Sequence, residues 1–211
     1  MDIAIPLYDR FAALDAVGPY EALGRLHGAR VRWVGAEERP YRADLGVQIT
    51  ADTTFDALPA PDIVLVPGGD GTLDVLDDPA LLGWIARAHE TSTWTTSVCT
   101  GSLLLGAAGV LEGLRATTHW AYLERLAPYA GEVVGDERVV EQGKVMTAAG
   151  VSSGIDMALT LIDRQYGPEL SQAIQLGIEY DPAPPHDAGS TAKAPPEIVD
   201  VVRSTIGVPQ A

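Results

Sequence analysis

The segment Thr93 to Val98 is a β-branched run that stops at Cys99, and a small-residue helical pattern, Thr100-Gly101-Ser102-Leu103-Leu104-Leu105-Gly106, begins at the next residue. A strand that turns into a helix without a loop forces its corner residue into a sparsely populated backbone conformation. It also aims that side chain from the edge of a sheet toward the positive end of the helix. Ser97 and Gly101, two positions either side, supply the small bulk such a bend needs. Cys99 is the only cysteine in the chain. At the corner, backbone N–H groups and the helix dipole are expected to stabilise a thiolate and to lower its pKa from the ordinary value of about 8.5. A free cysteine is more often a buried, inert thiol. The corner pattern is what favours a nucleophile here.

The rest of the chain has the matching rhythm. Asp2 to Leu7 reads as a short buried strand, followed by a turn and a helical pattern over Pro19 to His27. Ala29 to Gly35 and Val47 to Thr50 give further strands. Asp62 to Val66 is a continuous apolar run that ends in Pro67-Gly68-Gly69-Asp70-Gly71, as a central parallel strand feeding a close-approach loop would. Helix follows from Pro79 to about His89, the strand Thr93 to Val98 leads to helix over Thr100 to Gly109, and another helix spans His119 to Leu126. Arg138 to Thr147 reads as a hairpin turning at Gln142-Gly143, and a long helix runs from about Ser153 to Tyr166. Strands alternating with helices, apolar on both faces, predict an α/β fold. Its parallel-rich central sheet is covered by helices on both faces, in a flavodoxin-like arrangement. Ligands of such sheets bind outside the carboxyl ends of the strands. The turn after the first strand, the glycine loop after Val66 and the corner at Cys99 all leave the sheet at that edge.

A length of 211 residues suits a single domain, 1–211, that buries its own core without a staple. Its proline-rich tail, from about Asp181 to Pro196, cannot be helical; it is expected to wrap the surface or a partner subunit, and a short amphipathic segment, Glu197 to Ile206, follows. Fourteen basic against 29 acidic residues give a net charge of −15, a field that repels phosphate backbones and argues against nucleic acid as a partner. The four histidines, at 27, 89, 119 and 186, lack metal-ligand spacing, so no metal is expected. With neither a bilayer-length apolar stretch nor a secretory leader at Met1, the expectation is a soluble cytoplasmic protein without membrane attachment.

Few residues are placed to work with the thiol. Asp15 stands in Leu14-Asp15-Ala16-Val17-Gly18-Pro19. If the helix starts near Pro19, Asp15 lies in a loop at the carboxyl edge and can face Cys99; the alternative is a cap for a helix that starts earlier and kinks at Gly18-Pro19. Glu21 lies on a helix with Leu23 and Leu26, where an ion pair is the more natural role. Gly68 and Gly69 could offer N–H groups to a developing negative charge, with the amide of Thr100 as a further donor, although tight turns use such glycines too. The Thr100 hydroxyl stands beside the sulfur, yet threonine is also an ordinary cap. His119 could pair with the cysteine, or it could cap its helix and pack beside Trp120. Should His119 be remote, Asp15 is the proton carrier.

Taken together, Ser97-Val98-Cys99-Thr100-Gly101-Ser102-Leu103, Ala116-Thr117-Thr118-His119-Trp120-Ala121-Tyr122 and the upstream Leu14-Asp15 and Gly18-Pro19 resemble the isonitrile hydratases of the PfpI-type, class I glutamine amidotransferase-like superfamily. Val66-Pro67-Gly68-Gly69, Gly154-Ile155-Asp156 and Glu179-Tyr180-Asp181-Pro182-Ala183-Pro184-Pro185 extend the likeness over nearly the whole chain. The resemblance implies a catalytic set of Cys99, Asp15 and Thr100, no cofactor, a homodimer, and hydration of an isonitrile to an N-substituted formamide. The peptidase and deglycase-like branches commonly carry a histidine next to the cysteine or a glutamate where Asp15 stands, and this chain departs from both. Two rivals remain. One is a glyoxalase or deglycase acting on small aldehydes. The other is a ligand-sensing domain of a transcription regulator, for which the roughly 20 residues after Ser190 are too few to form a recognition domain. Apolar substituents on the isonitrile predict a pocket with hydrophobic walls.

Overall fold

The computed structural model describes residues 1–206; the last five residues of the expected 1–211 domain lie outside the described part. The chain enters as β1 (Asp2–Pro6), α1 (Ala13–Leu23) and β2 (Arg30–Gly35), then makes an excursion through β3 (Pro40–Arg42), β4 (Gln48–Thr50) and β5 (Thr53–Thr54). It continues through β6 (Ile63–Val66), a 3-10 turn over Asp70–Val75, α2 (Pro79–Thr91), β7 (Trp94–Val98) and α3 (Gly101–Ala107). Short strands β8 (Arg115–Ala116) and β9 (Glu132–Val133) flank a 3-10 turn at Trp120–Tyr122 and α4 (Leu123–Leu126). The chain then passes through the hairpin β10 (Val139–Gln142) and β11 (Val145–Ala148), followed by α5 (Ser153–Tyr166), α6 (Pro168–Gly177) and α7 (Pro196–Thr205).

The main sheet has the order β10-β11-β7-β6-β1-β2-β5, and every pairing is parallel except the β10–β11 hairpin at one edge. Its central strands are apolar on both faces because both faces are covered: Ile3, Ala4, Ile5, Val64, Leu65 and Val66 have no solvent exposure. Right-handed crossovers in opposite directions from β1 and β6 put α1 and α2 on opposite faces. α5 joins α1 on one face, and α3 joins α2 on the other. This is the expected α/β architecture.

Four local expectations change. The helix expected from Pro19 starts six residues earlier, at Ala13, and carries Pro19 inside it. Tertiary packing explains this, since α1 crosses α5 where a Cβ on Gly18 would lie 3.1 Å from Ile155 and one on Gly154 would lie 2.9 Å from the Pro19 ring. That close approach offsets the hydrogen bond a proline cannot donate. The strand read at Val47 to Thr50 exists, but it pairs with β3 in a separate antiparallel ribbon. The helix expected over His119 to Leu126 is broken into the 3-10 turn and α4, and α6 is additional. Here Gly167-Pro168, which reads as a stop, ends α5 with a positive φ and starts α6 with proline in its first turn.

The sharp bend between β7 and α3 sits directly on the neighbouring strand. A Cβ on Gly101 would lie 2.2 Å from the Val66 carbonyl oxygen and 2.9 Å from the Pro67 carbonyl carbon, and both are main-chain atoms that cannot yield. Gly101→Ala is therefore expected to destabilise the fold by about 3 kcal/mol or more, read from the urea midpoint. A loss below about 1 kcal/mol would mean that the corner has more slack than this geometry allows.

Candidate active site

Cys99 has φ +56°, a left-handed conformation costing a non-glycine residue about 1–3 kcal/mol. The surrounding main chain holds it there. The Cys99 N–H donates to the carbonyls of Ala148 and Ala149, at 3.1 and 2.8 Å, the last residue of β11 and the one after it. Its own carbonyl accepts from the hydroxyls of Ser102 (3.2 Å) and Thr118 (2.9 Å). The residue is bonded on both sides, and its side chain is left to project over the carboxyl edge of the sheet with 7% exposure.

The three expected segments do converge on that edge. The Ala12 N–H donates to the Gly68 carbonyl at 2.7 Å, joining the turn after β1 to the glycine loop. Asp15 lies in the first turn of α1, where it points inward and is fully buried. Ala12 precedes the helix, so Asp15 is neither the loop residue nor the cap that the local pattern offers. Its Oδ2 accepts from the Gly68 N–H at 2.9 Å, while Oδ1 has no hydrogen-bond partner among the described residues. The carboxyl and the Cys99 sulfur are close enough for each to shift the other's protonation.

The glycine loop differs from its expected role. Gly68 and Gly69 were natural donors for charge on a substrate, but the Gly68 N–H is committed to Asp15 and the Gly69 N–H donates to Thr100 Oγ1 at 3.0 Å. Their service is to hold the machinery, and the lack of side chains is what permits it: a Cβ on Gly68 would lie 2.5 Å from the Thr100 nitrogen, and one on Gly69 (φ +137°) 2.3 Å from the Ala12 nitrogen. Thr100 makes no side-chain cap to α3. Its hydroxyl joins a buried chain, 2.8 Å from Thr72 Oγ1, which is 3.0 Å from the Tyr8 hydroxyl, which in turn donates to the Pro67 carbonyl at 2.9 Å.

The electrostatics reverse the expectation of an ionised sulfur. Burial pushes the Cys99 thiol well up, and the Asp15 charge pushes it further; the amides of Val151 and Thr100 pull the other way and are outweighed. Burial likewise raises Asp15, to about 7, against the Gly68 hydrogen bond that lowers it and with the charge of Asp44 adding to the rise. The resting pair is thus a protonated thiol beside a carboxyl that titrates near neutrality.

A cavity of about 170 Å³ opens beside the sulfur. At about 30 Å³ per water this is the space of five or six water molecules, enough for a small ligand only. Ala12, Val151 and Ile206 supply apolar wall, as expected, but the carboxylates of Asp44 and Asp70 face it too. His119 and Tyr122 complete it with Gly69 and Thr100; Gly68 stays behind the lining. The His119 Nδ1 accepts from the Ala121 N–H at 3.3 Å, which places the proton of the neutral ring on Nε2, and burial keeps the ring uncharged. His119 therefore shares the cavity with Cys99 while acting as the cap of its own turn. Glu21 is remote from this chemistry, paired with Arg25 at 3.3 Å on the exposed face of α1.

Sequence reasoning passed over Val151 and Asp44. Val151 follows β11 at the same sheet edge, so the rule that placed the other three segments would have found it once β11 was recognised as parallel to β7. Asp44 belongs to the β3–β4 ribbon, and nothing in its local pattern points toward the sulfur.

A parallel sheet whose strand–helix corner holds a positive-φ cysteine, with a buried carboxyl brought alongside from the helix after the first strand, defines an α/β protein of the nucleophile-elbow class. The chain belongs to the DJ-1/PfpI family, whose model matches residues 1–164. It is 41% identical over 203 residues to the isonitrile hydratase of Pseudomonas putida, covering 96% of this chain and 89% of that one. The crystal structure of a THiJ/PfpI family protein from Pseudomonas syringae superposes with a TM-score of 0.93 at 35% identity, covering 97% of this chain and 85% of that one. The chain is also 28% identical over 181 residues to the HTH-type transcriptional regulator CdhR of Pseudomonas aeruginosa, 84% of this chain but 53% of the regulator.

The buried carboxyl has a measurable signature. Because its native value of about 7 lies above the ordinary 3.8, the folded protein keeps a proton that the unfolded chain releases, and stability falls as pH rises through that window. Linkage puts the loss at about 4 kcal/mol. Urea unfolding at pH 4.5 and pH 8 is expected to show a larger loss for the wild type than for Asp15→Asn, by several kcal/mol. Equal losses would mean that Asp15 is already ionised at the lower pH.

Proposed function

We propose that this protein is an isonitrile hydratase that adds water to R–N≡C and releases the formamide R–NH–CHO, with Cys99 as nucleophile, Asp15 as proton carrier and Thr100 as the residue that positions them. The observation that carries this reading is the protonated thiol beside a carboxyl titrating near neutrality, in a cavity of small-ligand size. The 41% identity to an isonitrile hydratase over nearly the full length of both chains supports it.

The terminal carbon of an isonitrile is a weak base before it is an electrophile. A cavity bordered by Asp44 and Asp70, with Asp15 buried beside the sulfur, disfavours an anionic sulfur and favours positive charge on the substrate. Proton transfer accordingly leads. Asp15 gives its proton to the terminal carbon, the Cys99 sulfur forms a bond to that carbon, and the thiol proton returns to the Asp15 carboxylate. The product is the thioimidate Cys–S–CH=N–R, with Asp15 again protonated. In the second half Asp15 protonates the nitrogen and takes a proton from the attacking water, leaving a carbon that bears sulfur, hydroxyl, hydrogen and NH–R. Collapse to the carbonyl breaks the C–S bond, and the hydroxyl proton passes through Asp15 to the departing sulfur. Nothing is oxidised or reduced, so proton transfers alone complete the cycle. This is the order opposite to a preformed thiolate attacking a bare isonitrile.

Formamide production from cyclohexyl isocyanide by the purified protein is the primary test. Cys99→Ala is expected to lose activity by at least about 10³-fold, and a Cys99 thioimidate is expected by intact mass spectrometry of the wild type acid-quenched during turnover, and not in Asp15→Asn, which cannot start the reaction. Turnover of methylglyoxal exceeding that of every isonitrile would instead assign the aldehyde chemistry. Isonitrile binding without turnover would assign a sensing role, to which the likeness to CdhR lends support.

The pH profile tests the order of events. If protonated Asp15 starts the reaction, kcat/KM falls as pH rises through about 7. Asp44→Asn removes a negative neighbour, lowers the Asp15 value and shifts that limb to lower pH. A limb that rises through neutrality, or one unmoved by Asp44→Asn, rejects the proton-first order. We further propose a cytoplasmic homodimer, the dimer being what the family resemblance implies; no helix of the described residues is long and apolar enough to cross a membrane.

A further inference from the structure

The cavity wall contains one residue from far along the chain. Ile206, at the end of α7, faces the space above Cys99, although the other lining residues come from the segments that leave the sheet, from the β3–β4 ribbon or from the turn after β8. α7 is an amphipathic helix that rests on the body through half-buried Val199, Val202 and Ile206, with the Arg203 guanidinium 5.5 Å from the centre of the Trp120 ring. Beside it a second, open cavity of about 120 Å³ is shared by Trp120, the tail before α7 (188–194) and Val199 and Val202 of the helix. Among the described residues, the hydrogen bonds of 182–206 run within that tail, as does its ion pair between Lys193 and Asp187. The helix is therefore held to the body by a few apolar contacts and one cation–π contact, the pattern of an element that opens at low free-energy cost.

We infer that α7 is the outer wall of the substrate cavity and that Ile206 determines the size of the group the cavity accepts. The substrate in this statement rests on the isonitrile reading; the wall itself does not. With Ile206 in place the cavity holds about 170 Å³, which suits a compact substituent. A bulkier one must displace the Ile206 side chain or lift the helix. Trimming that side chain removes three carbons from the wall, and single carbons in an apolar pocket change discrimination by about tenfold or more.

The lone thiol makes the test unambiguous, because every adduct reports on position 99. Two measurements are made on the full chain for the wild type, Ile206→Ala, Ile206→Val, and Val202→Asp, which undocks the helix from outside the cavity; thermal melting confirms that each variant is folded. The first is the ratio of Cys99 alkylation rates for N-pyrenylmaleimide and N-methylmaleimide, read by intact mass. The second is the ratio of kcat/KM for adamantyl and methyl isocyanide. Both ratios are expected to rise about tenfold in Ile206→Ala, by an intermediate amount in Ile206→Val, and also in Val202→Asp. A ratio that stays within twofold of the wild type in Ile206→Ala, or a rise in Ile206→Ala that Val202→Asp does not share, overturns the inference. Were the wild type to hydrate no isonitrile, the function reading would fail while the alkylation ratio still decided the wall.

Discussion

Asp15 cannot be moved without disturbing everything else at the sheet edge. Its Oδ2 accepts the Gly68 N–H, Gly68 lies against the Thr100 main chain, and the Gly69 N–H holds the Thr100 hydroxyl. One buried carboxyl thereby ties α1 to the glycine loop, and the glycine loop to the corner that displays the sulfur. A buried carboxyl with an unpaired oxygen is an expensive component for a structural clamp, and an uncharged side chain could bond the same amide more cheaply. Its retention makes sense if the proton it carries is used.

The charge arrangement follows from the same economy of space. An elbow cysteine is usually pictured as a thiolate drawn out by amides and a helix dipole, and both influences are present here in the Thr100 and Val151 N–H groups. They lose to burial and to the neighbouring carboxyl. α3 begins at Gly101 and runs only seven residues, so its dipole is short. The corner geometry supplies exposure and direction, while the state of the sulfur is set by what packs beside it. An elbow is therefore compatible with a nucleophile that stays protonated until a substrate arrives to exchange protons with it.

Much of the fold was legible because the parallel strands are short, apolar and punctuated. β6 and β7 announce themselves as continuous runs ending at Pro67-Gly68-Gly69 and at Cys99, and the Gln142-Gly143 turn marks the hairpin, with Gly143 at φ +62°. The start of α1 was illegible for a physical reason. Proline is favoured in a first turn, so Pro19 looked like a beginning, whereas the tight crossing with α5 at Gly18 and Gly154 carries the helix straight through it. The pairing of Asp15 with Cys99 survived that error because both readings leave Asp15 at the same edge of the sheet. The glycine amides were misassigned because sequence reveals that a backbone can come close without revealing to what. Asp44 and Ile206 were out of reach, since each arrives from a segment whose local pattern contains no reference to the sulfur.

The buried hydroxyls behind the site form a line with a fixed direction. The phenol of Tyr8 spends its one hydrogen on the Pro67 carbonyl, so it can only receive from Thr72. Thr72, having given, must receive from Thr100, and Thr100 has then spent its hydrogen as well while taking the Gly69 amide on one lone pair. A proline carbonyl three oxygens away thereby fixes how the threonine beside the sulfur is turned.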